Sequence, residues 1–168
     1  CRNYPLNWTS EKFAANNIKI RKPTMSDDIQ KIGVIGAGQM GGGIAHVCAA
    51  SGYDVYLLDQ TDEAVSKGLE KLTRNMDRDV ARGRINEDVR NSALKRIATG
   101  SSYDGFKDCD LVIEAASEDE DVKKAILKKL CENVKDSALI ATNTSSISIT
   151  RLAAQTDRPG QVCGMHFM

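Results

Sequence analysis

Three glycines near the start of the chain have a spacing that suits phosphate binding. They belong to a G-x-G-x-x-G segment between an apolar run and a stretch of small residues. In such a turn the first glycine permits a tight bend, the second lets the backbone approach a pyrophosphate, and the third lets helix and strand pack closely. The following helix N-terminus adds unpaired N–H groups. The segment consists of Gly36, Ala37, Gly38, Gln39, Met40 and Gly41.

An acidic residue follows at the distance that a dinucleotide site requires. Asp59 lies 23 residues after Gly36, at the end of the next predicted strand, and Gln60 follows it. A carboxylate in that place binds the adenosine ribose hydroxyls. It would also repel a 2′-phosphate, and no lysine or arginine occurs between it and Lys67. We therefore assign Asp59 and Gln60 to the cofactor site and expect NAD rather than NADP. A glycine-rich turn with an ordinary exposed Asp59 is the alternative.

Three later polar clusters follow predicted strands, where ligands bind in open parallel sheets. They are EAASE at 114–118, NTSS at 143–146 and GMHF at 164–167.

The periodicity of the chain predicts the elements that position these groups. Strands are expected at 31–36, 53–58, 110–116, 138–142 and 161–166, and helices at 39–51, 86–97, 119–134 and 147–155. A further long amphipathic helix runs from about Val65 to Val80. Helix 119–134 should have an apolar stripe formed by Val122, Ile126, Leu130 and Val134, and Asn86 offers an N-cap for helix 86–97. Strands alternating with helices predict an α/β, Rossmann-type doubly wound, mainly parallel sheet.

Composition excludes several other classes of function. The chain has 168 residues, with 23 basic and 23 acidic side chains, so nothing suggests nucleic-acid or membrane-surface binding. The uncharged run 32–53 contains seven glycines, which argues against a transmembrane helix. Five cysteines without C-x-x-C spacing suggest no metal site and suit a reducing compartment. We expect one domain over 28–168 and an unstructured or non-native extension over 1–27, since Met25 resembles a true start.

Taken together, the motifs resemble the NAD-binding domain of the 3-hydroxyacyl-CoA dehydrogenases. IGVIGAGQMGGGIA, LLDQ, DLVIEAASE, ATNTSS and GMHFM occur in the family's order, over about residues 28–168. The resemblance implies hydride transfer between NAD and an (S)-3-hydroxyacyl-CoA, yielding a 3-oxoacyl-CoA, in fatty acid or butyrate metabolism. It also implies an acyl-CoA partner and a homo-oligomer formed through a helical C-terminal domain.

The same resemblance assigns roles to individual side chains. His166 matches the catalytic histidine, which suits the task because a base with a pKa near neutrality can accept the hydroxyl proton. Ser145 would hydrogen-bond the substrate oxygen near the nicotinamide. The remaining assignments are cofactor contacts for Glu118, Lys123, Asn143 and Ser145, and coenzyme A contacts for Ser145, Asn75 and Arg82.

Each assignment has a simpler structural alternative. Asn143 and Ser145 could cap the helix that starts near residue 147, and Glu118 could serve a helix N-terminus. Lys123 and Arg82 could be solvated surface charges.

The chain ends at Met168, before the family's glutamate that orients the histidine and before its helical domain. We therefore expect NADH binding but little turnover by this chain alone. Rival functions are an NAD-dependent 3-hydroxy acid dehydrogenase acting on a free acid, and a non-catalytic nucleotide-binding module. The expected location is the cytoplasm, or the mitochondrial matrix if residues 1–24 belong to a presequence.

Overall fold

A six-stranded parallel sheet forms the centre of the molecule. The computed structural model describes residues 29–168. The predictions made for residues 1–27, including the start at Met25, lie outside the described residues. The strands are β1 (Lys31–Ile35), β2 (Asp54–Leu58), β3 (Ile97–Gly100), β4 (Leu111–Glu114), β5 (Leu139–Thr142) and β6 (Val162–Gly164).

The order of the strands creates a crevice at one edge of the sheet. The order is β3-β2-β1-β4-β5-β6, and all five pairings are parallel, which confirms the predicted fold class. The chain runs outward from β1 to β3 and then returns to the other side of β1 with β4. Connections that leave neighbouring strands in opposite directions open a space above their carboxyl ends. A ligand site is therefore expected above β1 and β4.

Within residues 29–168, five α-helices cover the sheet, and most begin at a side chain that caps them. Asn86 caps its helix by accepting from the Val89 amide at 2.8 Å, as predicted. Thr61, Asp119 and Ser148 do the same for three other helices. The helices are α1 (Gln39–Ala50), α2 (Asp62–Ala81), α3 (Glu87–Lys95), α4 (Glu120–Cys131) and α5 (Ile149–Ala153), with short 3-10 helices at Tyr103–Phe106 and Pro159–Gln161.

The two faces of the sheet each bury a hydrophobic cluster. Successive strand residues alternate between them, so that Val34 belongs to one cluster and Ile35 to the other. The first cluster includes Leu72 from α2, and the second includes Leu127 from α4. This double covering explains why the strands read as continuous apolar runs.

The structure corrects several predicted elements. The helices expected over 119–134 and 147–155 are shorter, at Glu120–Cys131 and Ile149–Ala153. The helix expected over 86–97 ends at Lys95, because Ile97 begins β3, an edge strand too short and too exposed to give a sequence signal. The last strand stops at Gly164 rather than at residue 166. The buried face of α4 contains Lys123, Leu127 and Leu130, whereas Val122, expected on the apolar stripe, is 36% exposed. Within residues 29–168, no helix is long and apolar enough to cross a membrane.

Candidate functional site

The turn between β1 and α1 has a shape that only glycine allows. Gly36 has a φ of 100°, and a Cβ there would lie 2.7 Å from the carbonyl oxygen of Ala115. A Cβ on Gly41 would lie 1.8 Å from the carbonyl oxygen of Gly36. At Gly38, by contrast, a Cβ would meet no heavy atom of the described residues within 4 Å, its chain neighbours aside. Two glycines therefore allow close packing, while the third faces open space at the start of α1.

Asp59 holds this turn in place. One carboxylate oxygen accepts a hydrogen bond from the Ala37 amide at 2.7 Å, and the other accepts from the Gln60 amide at 2.7 Å. From behind, α2 supports the turn, because a Cβ on Gly68 would lie 2.5 Å from the Cβ of Ala37. The positions of Asp59 and Gln60 beside the turn agree with the sequence prediction. The bond from Asp59 to the turn, and the role of Gly68, were not foreseen.

A cavity of about 780 Å³ opens beside the turn. Of the eight cofactor residues predicted between Gly36 and Gln60, six line it, and Ala37 and Gly41 do not. The six are Gly36, Gly38, Gln39, Met40, Asp59 and Gln60. The opposite wall comes from the loop after β4 and from α4, with Ala115, Ser117, Val122, Ile126 and Lys129.

Two residues that line this cavity, Tyr103 and Lys129, were not predicted from the sequence. The Lys129 ammonium lies 4.3 Å from the centre of the Tyr103 ring. The short 3-10 helix that carries Tyr103 has no periodicity from which it could be predicted. Its Ser102 N-cap followed by Asp104 was the available signal, since short polar caps of this kind start helical turns.

A buried ion pair lies beneath the carboxyl ends of β4 and β5. Glu114 is 0% exposed, and its two carboxylate oxygens each lie 2.9 Å from the ammonium of Lys123, which is 1% exposed. Glu114 also accepts from the Thr142 hydroxyl at 2.6 Å and from the Ala116 amide at 2.7 Å. The group Glu114, Lys123 and Thr142 is called the buried Glu114 network below. It joins β4, α4 and β5 at the edge where ligands bind.

Glu118 extends this network into the loop after β5. One of its oxygens accepts hydrogen bonds from the Thr144 hydroxyl and, at 2.8 Å, from the Ser146 hydroxyl. Its other oxygen lies 3.5 Å from the Lys123 ammonium. The bond from Thr144 is the main reason why the pKa of the Glu118 carboxyl is lowered, and partial desolvation opposes that shift.

The two residues assigned to catalysis, Ser145 and His166, are both exposed and lie on neighbouring loops at this edge. Ser145 stands between Thr144 and Ser146, and His166 follows β6. The loops are joined by Asn143, whose side-chain oxygen accepts from the Phe167 amide at 2.7 Å. Sequence alone predicted the three polar clusters but not the bonds between them.

Several of the simpler alternatives are wrong. Lys123 is a buried member of an ion pair and not a solvated surface charge. Asn143 and Ser145 do not cap α5, since Ser148 does, and the turn before it is closed by the Thr144 hydroxyl, which accepts from the Ile147 amide at 3.1 Å. Asp119 provides the side-chain cap of α4, whereas Glu118 binds Thr144 and Ser146, and its electrostatic role at the helix N-terminus stays a prediction. The cofactor contacts of Glu118, Lys123, Asn143 and Ser145 stay predictions.

Of the three residues assigned to coenzyme A, Ser145 lies on the loop after β5, whereas Asn75 and Arg82 lie on α2 and directly after it, outside the lining of the cavity. Asn75 is partly buried and accepts a hydrogen bond from the Arg78 guanidinium. Arg82 is exposed at the C-cap of α2. Neither lines the 780 Å³ cavity, so their assignment stays a prediction.

The cysteines and acidic residues of 29–168 form no metal site. No group of three or more potential ligands occurs among the residues that the structure describes. Four cysteines in this part of the chain are free thiols. Burial raises the pKa of both Cys48 and Cys109 to about 11, as expected for inert core thiols.

Comparison with known proteins places this site in a family. The family model described as "3-hydroxyacyl-CoA dehydrogenase, NAD binding domain" matches residues 31–168. A 3-hydroxybutyryl-CoA dehydrogenase of Bradyrhizobium diazoefficiens is 49% identical over 144 residues, which cover 86% of this chain and 49% of that protein. A 3-hydroxyadipyl-CoA dehydrogenase of Escherichia coli is 40% identical, over 85% of this chain and 30% of that protein.

A solved structure agrees with the sequence matches. The crystal structure of (S)-3-hydroxybutyryl-CoA dehydrogenase PaaH1 from Ralstonia eutropha superposes with a TM-score of 0.81 at 46% identity, over 83% of this chain and 50% of that chain. The chain thus spans about half the length of the 3-hydroxybutyryl-CoA dehydrogenases it matches. With its glycine turn, its acid and its parallel sheet, the chain belongs to the family of 3-hydroxyacyl-CoA dehydrogenase NAD-binding domains.

Proposed function

We propose that this chain is the NAD-binding part of an enzyme that interconverts (S)-3-hydroxyacyl-CoA and 3-oxoacyl-CoA. The observation that carries the proposal is the open space in front of Gly38, at the mouth of a 780 Å³ cavity that Asp59 also lines. The family and the relatives described above supply the reaction class.

The residues of the cavity fit a dinucleotide. The N-terminus of α1 offers amide groups to a pyrophosphate, and the missing side chain at Gly38 lets the phosphates come close to the backbone. Asp59 lines the same cavity, and a carboxylate there would accept hydrogen bonds from ribose hydroxyls and repel a 2′-phosphate, which favours NAD over NADP. NAD, when bound, supplies the acceptor for the hydride that leaves the 3-carbon.

The chain's own residues would handle the proton and the substrate oxygen. His166 would act as the base that accepts the proton of the 3-hydroxyl group. Ser145 would donate a hydrogen bond to the same oxygen. Because both side chains are exposed at the edge of the sheet, a substrate can reach them.

The partners of the whole enzyme belong to the same proposal. They are an acyl-CoA substrate, with Ser145, Asn75 and Arg82 as contacts, and a second copy of the protein. The cytoplasmic location stays a prediction.

Binding is tested by titrating the chain with NADH and following nicotinamide fluorescence. Gly38→Ala should lower the affinity for NADH at least about tenfold, because the new methyl group occupies the space through which the phosphates approach. Gly43→Ala is the matched control, since its Cβ also meets no described atom within 4 Å but lies one turn along α1. Equal affinity of both variants and the wild type would contradict the proposed site.

The substrate class is tested on the complete natural polypeptide that contains this chain. Oxidation of NADH should occur with acetoacetyl-CoA and not with free acetoacetate, and His166→Ala should abolish it. Comparable rates with the free acid would favour the free-acid dehydrogenase. Full activity in His166→Ala, or no activity in the wild type, would favour a non-catalytic nucleotide-binding module.

A further inference from the structure

We infer that Glu118, Thr144 and Ser146 are positioning residues that fix the orientation of Ser145. These three residues are called the serine-loop clamp below. The inference rests on the proposed function, because it concerns how the serine is presented to the substrate.

The clamp holds both chain neighbours of Ser145. The hydroxyls of Thr144 and Ser146 donate to the same oxygen of Glu118. Thr144 is buried, and its oxygen also accepts from the Ser146 amide at 3.3 Å and the Ile147 amide at 3.1 Å. Residue 145 is therefore the exposed tip of a turn whose two flanks are fixed to one carboxylate.

The Glu118 carboxylate is itself held by the buried side chain of Lys123. The ammonium of Lys123 lies 3.5 Å from the second oxygen of Glu118 and makes two bonds of 2.9 Å with Glu114. Because Glu114 also accepts a hydrogen bond from the Thr142 hydroxyl, the buried Glu114 network holds the end of β5, from which the loop with Ser145 leaves. A chain of polar contacts thus runs from the core to the loop.

Such an arrangement restricts the motion of a side chain that must meet a reacting oxygen. A catalytic group on a loop gains precision when hydrogen bonds behind it lock the loop. Misplacement by about 1 Å can reduce a rate about 100-fold. We therefore expect loss of the clamp to reduce kcat more than it reduces cofactor affinity.

The test uses variants of Thr144 and Ser146, since Glu118 is also a candidate cofactor contact. In the complete natural polypeptide, Thr144→Val and Ser146→Ala should each lower kcat about 10- to 100-fold, with the Kd for NADH within about twofold of the wild type. Ser146→Ala removes an exposed hydroxyl, so it keeps the test valid if the buried Thr144 substitution prevents folding.

Two controls make the same chemical changes outside the clamp. Ser148→Ala removes the N-cap of α5, and Thr156→Val removes a hydroxyl that donates to the Ala153 carbonyl at 2.7 Å. Both should lower stability and leave kcat unchanged.

A double-mutant cycle separates positioning from a purely structural role. If the clamp acts through Ser145, Ser146→Ala should change kcat less than about twofold in a Ser145→Ala background, because coupled residues are not additive. A full further loss in that background would overturn the inference. So would clamp variants with wild-type kcat, or a rise in the Kd for NADH as large as the fall in kcat. Absence of turnover in the wild type would instead contradict the proposed function.

Discussion

The turn between β1 and α1 (the phosphate turn, residues 36–41) and the loop after β5 (the serine loop, residues 143–148) lie at the same edge of the sheet, yet different forces fix their shapes. At the phosphate turn, the backbone bends where side chains are missing, and a Cβ on Gly41 would collide with the Gly36 carbonyl. At the serine loop, side chains make the structure, through the buried Glu114 network and the serine-loop clamp. The first region depends mainly on steric fit, to which Asp59 adds a hydrogen bond from the Ala37 amide, and the second depends on charge and hydrogen bonding. The two should therefore respond differently to mutation and pH.

The largest loss of stability is expected from removal of the buried ammonium group of Lys123. Lys123→Met leaves the Glu114 carboxylate buried without its cationic partner, which should reduce the free energy of unfolding by about 3–5 kcal/mol. Urea denaturation of the chain would measure this.

Lys124→Met is the matched control for this substitution. Lys124 is the next residue, and its ion pairs with Glu120 and Asp121 lie at the surface. Its substitution should reduce the free energy of unfolding far less than that of Lys123, because solvent screens exposed ion pairs. Equal losses in the two variants would mean that burial does not determine the strength of the network.

A smaller loss is expected where shape alone is disturbed. Gly41→Ala should cost about 1–3 kcal/mol, because α1 must move away from β1 to admit the methyl group, and it should also weaken NADH binding. Urea denaturation of the chain would also measure this loss of stability.

The control for the phosphate turn is again Gly43→Ala, which lies in the same helix. An alanine there has room, and replacing a helical glycine should stabilise α1 by up to about 1 kcal/mol. A tolerated Gly41→Ala with normal NADH affinity would contradict the steric account of the turn.

The smallest effect is a difference between the two regions in how the stability loss of a variant depends on pH. The hydroxyl of Thr144 holds the pKa of Glu118 below its ordinary value of 4.5. A lowered pKa in the folded state stabilises the protein above the ordinary value, and this contribution is lost as the pH falls through the folded-state pKa. The stability difference between wild type and Thr144→Val should therefore shrink as the pH is lowered from about 7 to about 3.

Gly41→Ala provides the comparison, since no titrating group takes part in its steric contact with Gly36. Its stability difference from the wild type should not vary with pH in the same way. A parallel decline in both variants would indicate a general effect of acid rather than titration of Glu118.

Much of the fold was predictable because its signals are local. Apolar runs gave five of the six strands, and the capping residue Asn86 marked the start of α3. The strand β3 was missed, since a four-residue edge strand with two exposed positions has no continuous apolar pattern. The buried face of α4 was predicted only in part: Leu130 is buried as expected, but Lys123 reads as a surface residue, whereas Glu114 on another element makes its burial possible.

By itself, the sequence determined the phosphate turn, its acid and the order along the chain of the helices and of every strand except β3. These features follow from residue types at fixed separations, since glycines permit the bend and alternation of strand and helix dictates a parallel sheet. Only the tertiary structure decided that Lys123 is buried, that Glu118 binds the neighbours of Ser145 and that Asn143 joins the loop containing His166. Those contacts join residues far apart in the chain, and their stability depends on burial and geometry, which no local pattern encodes.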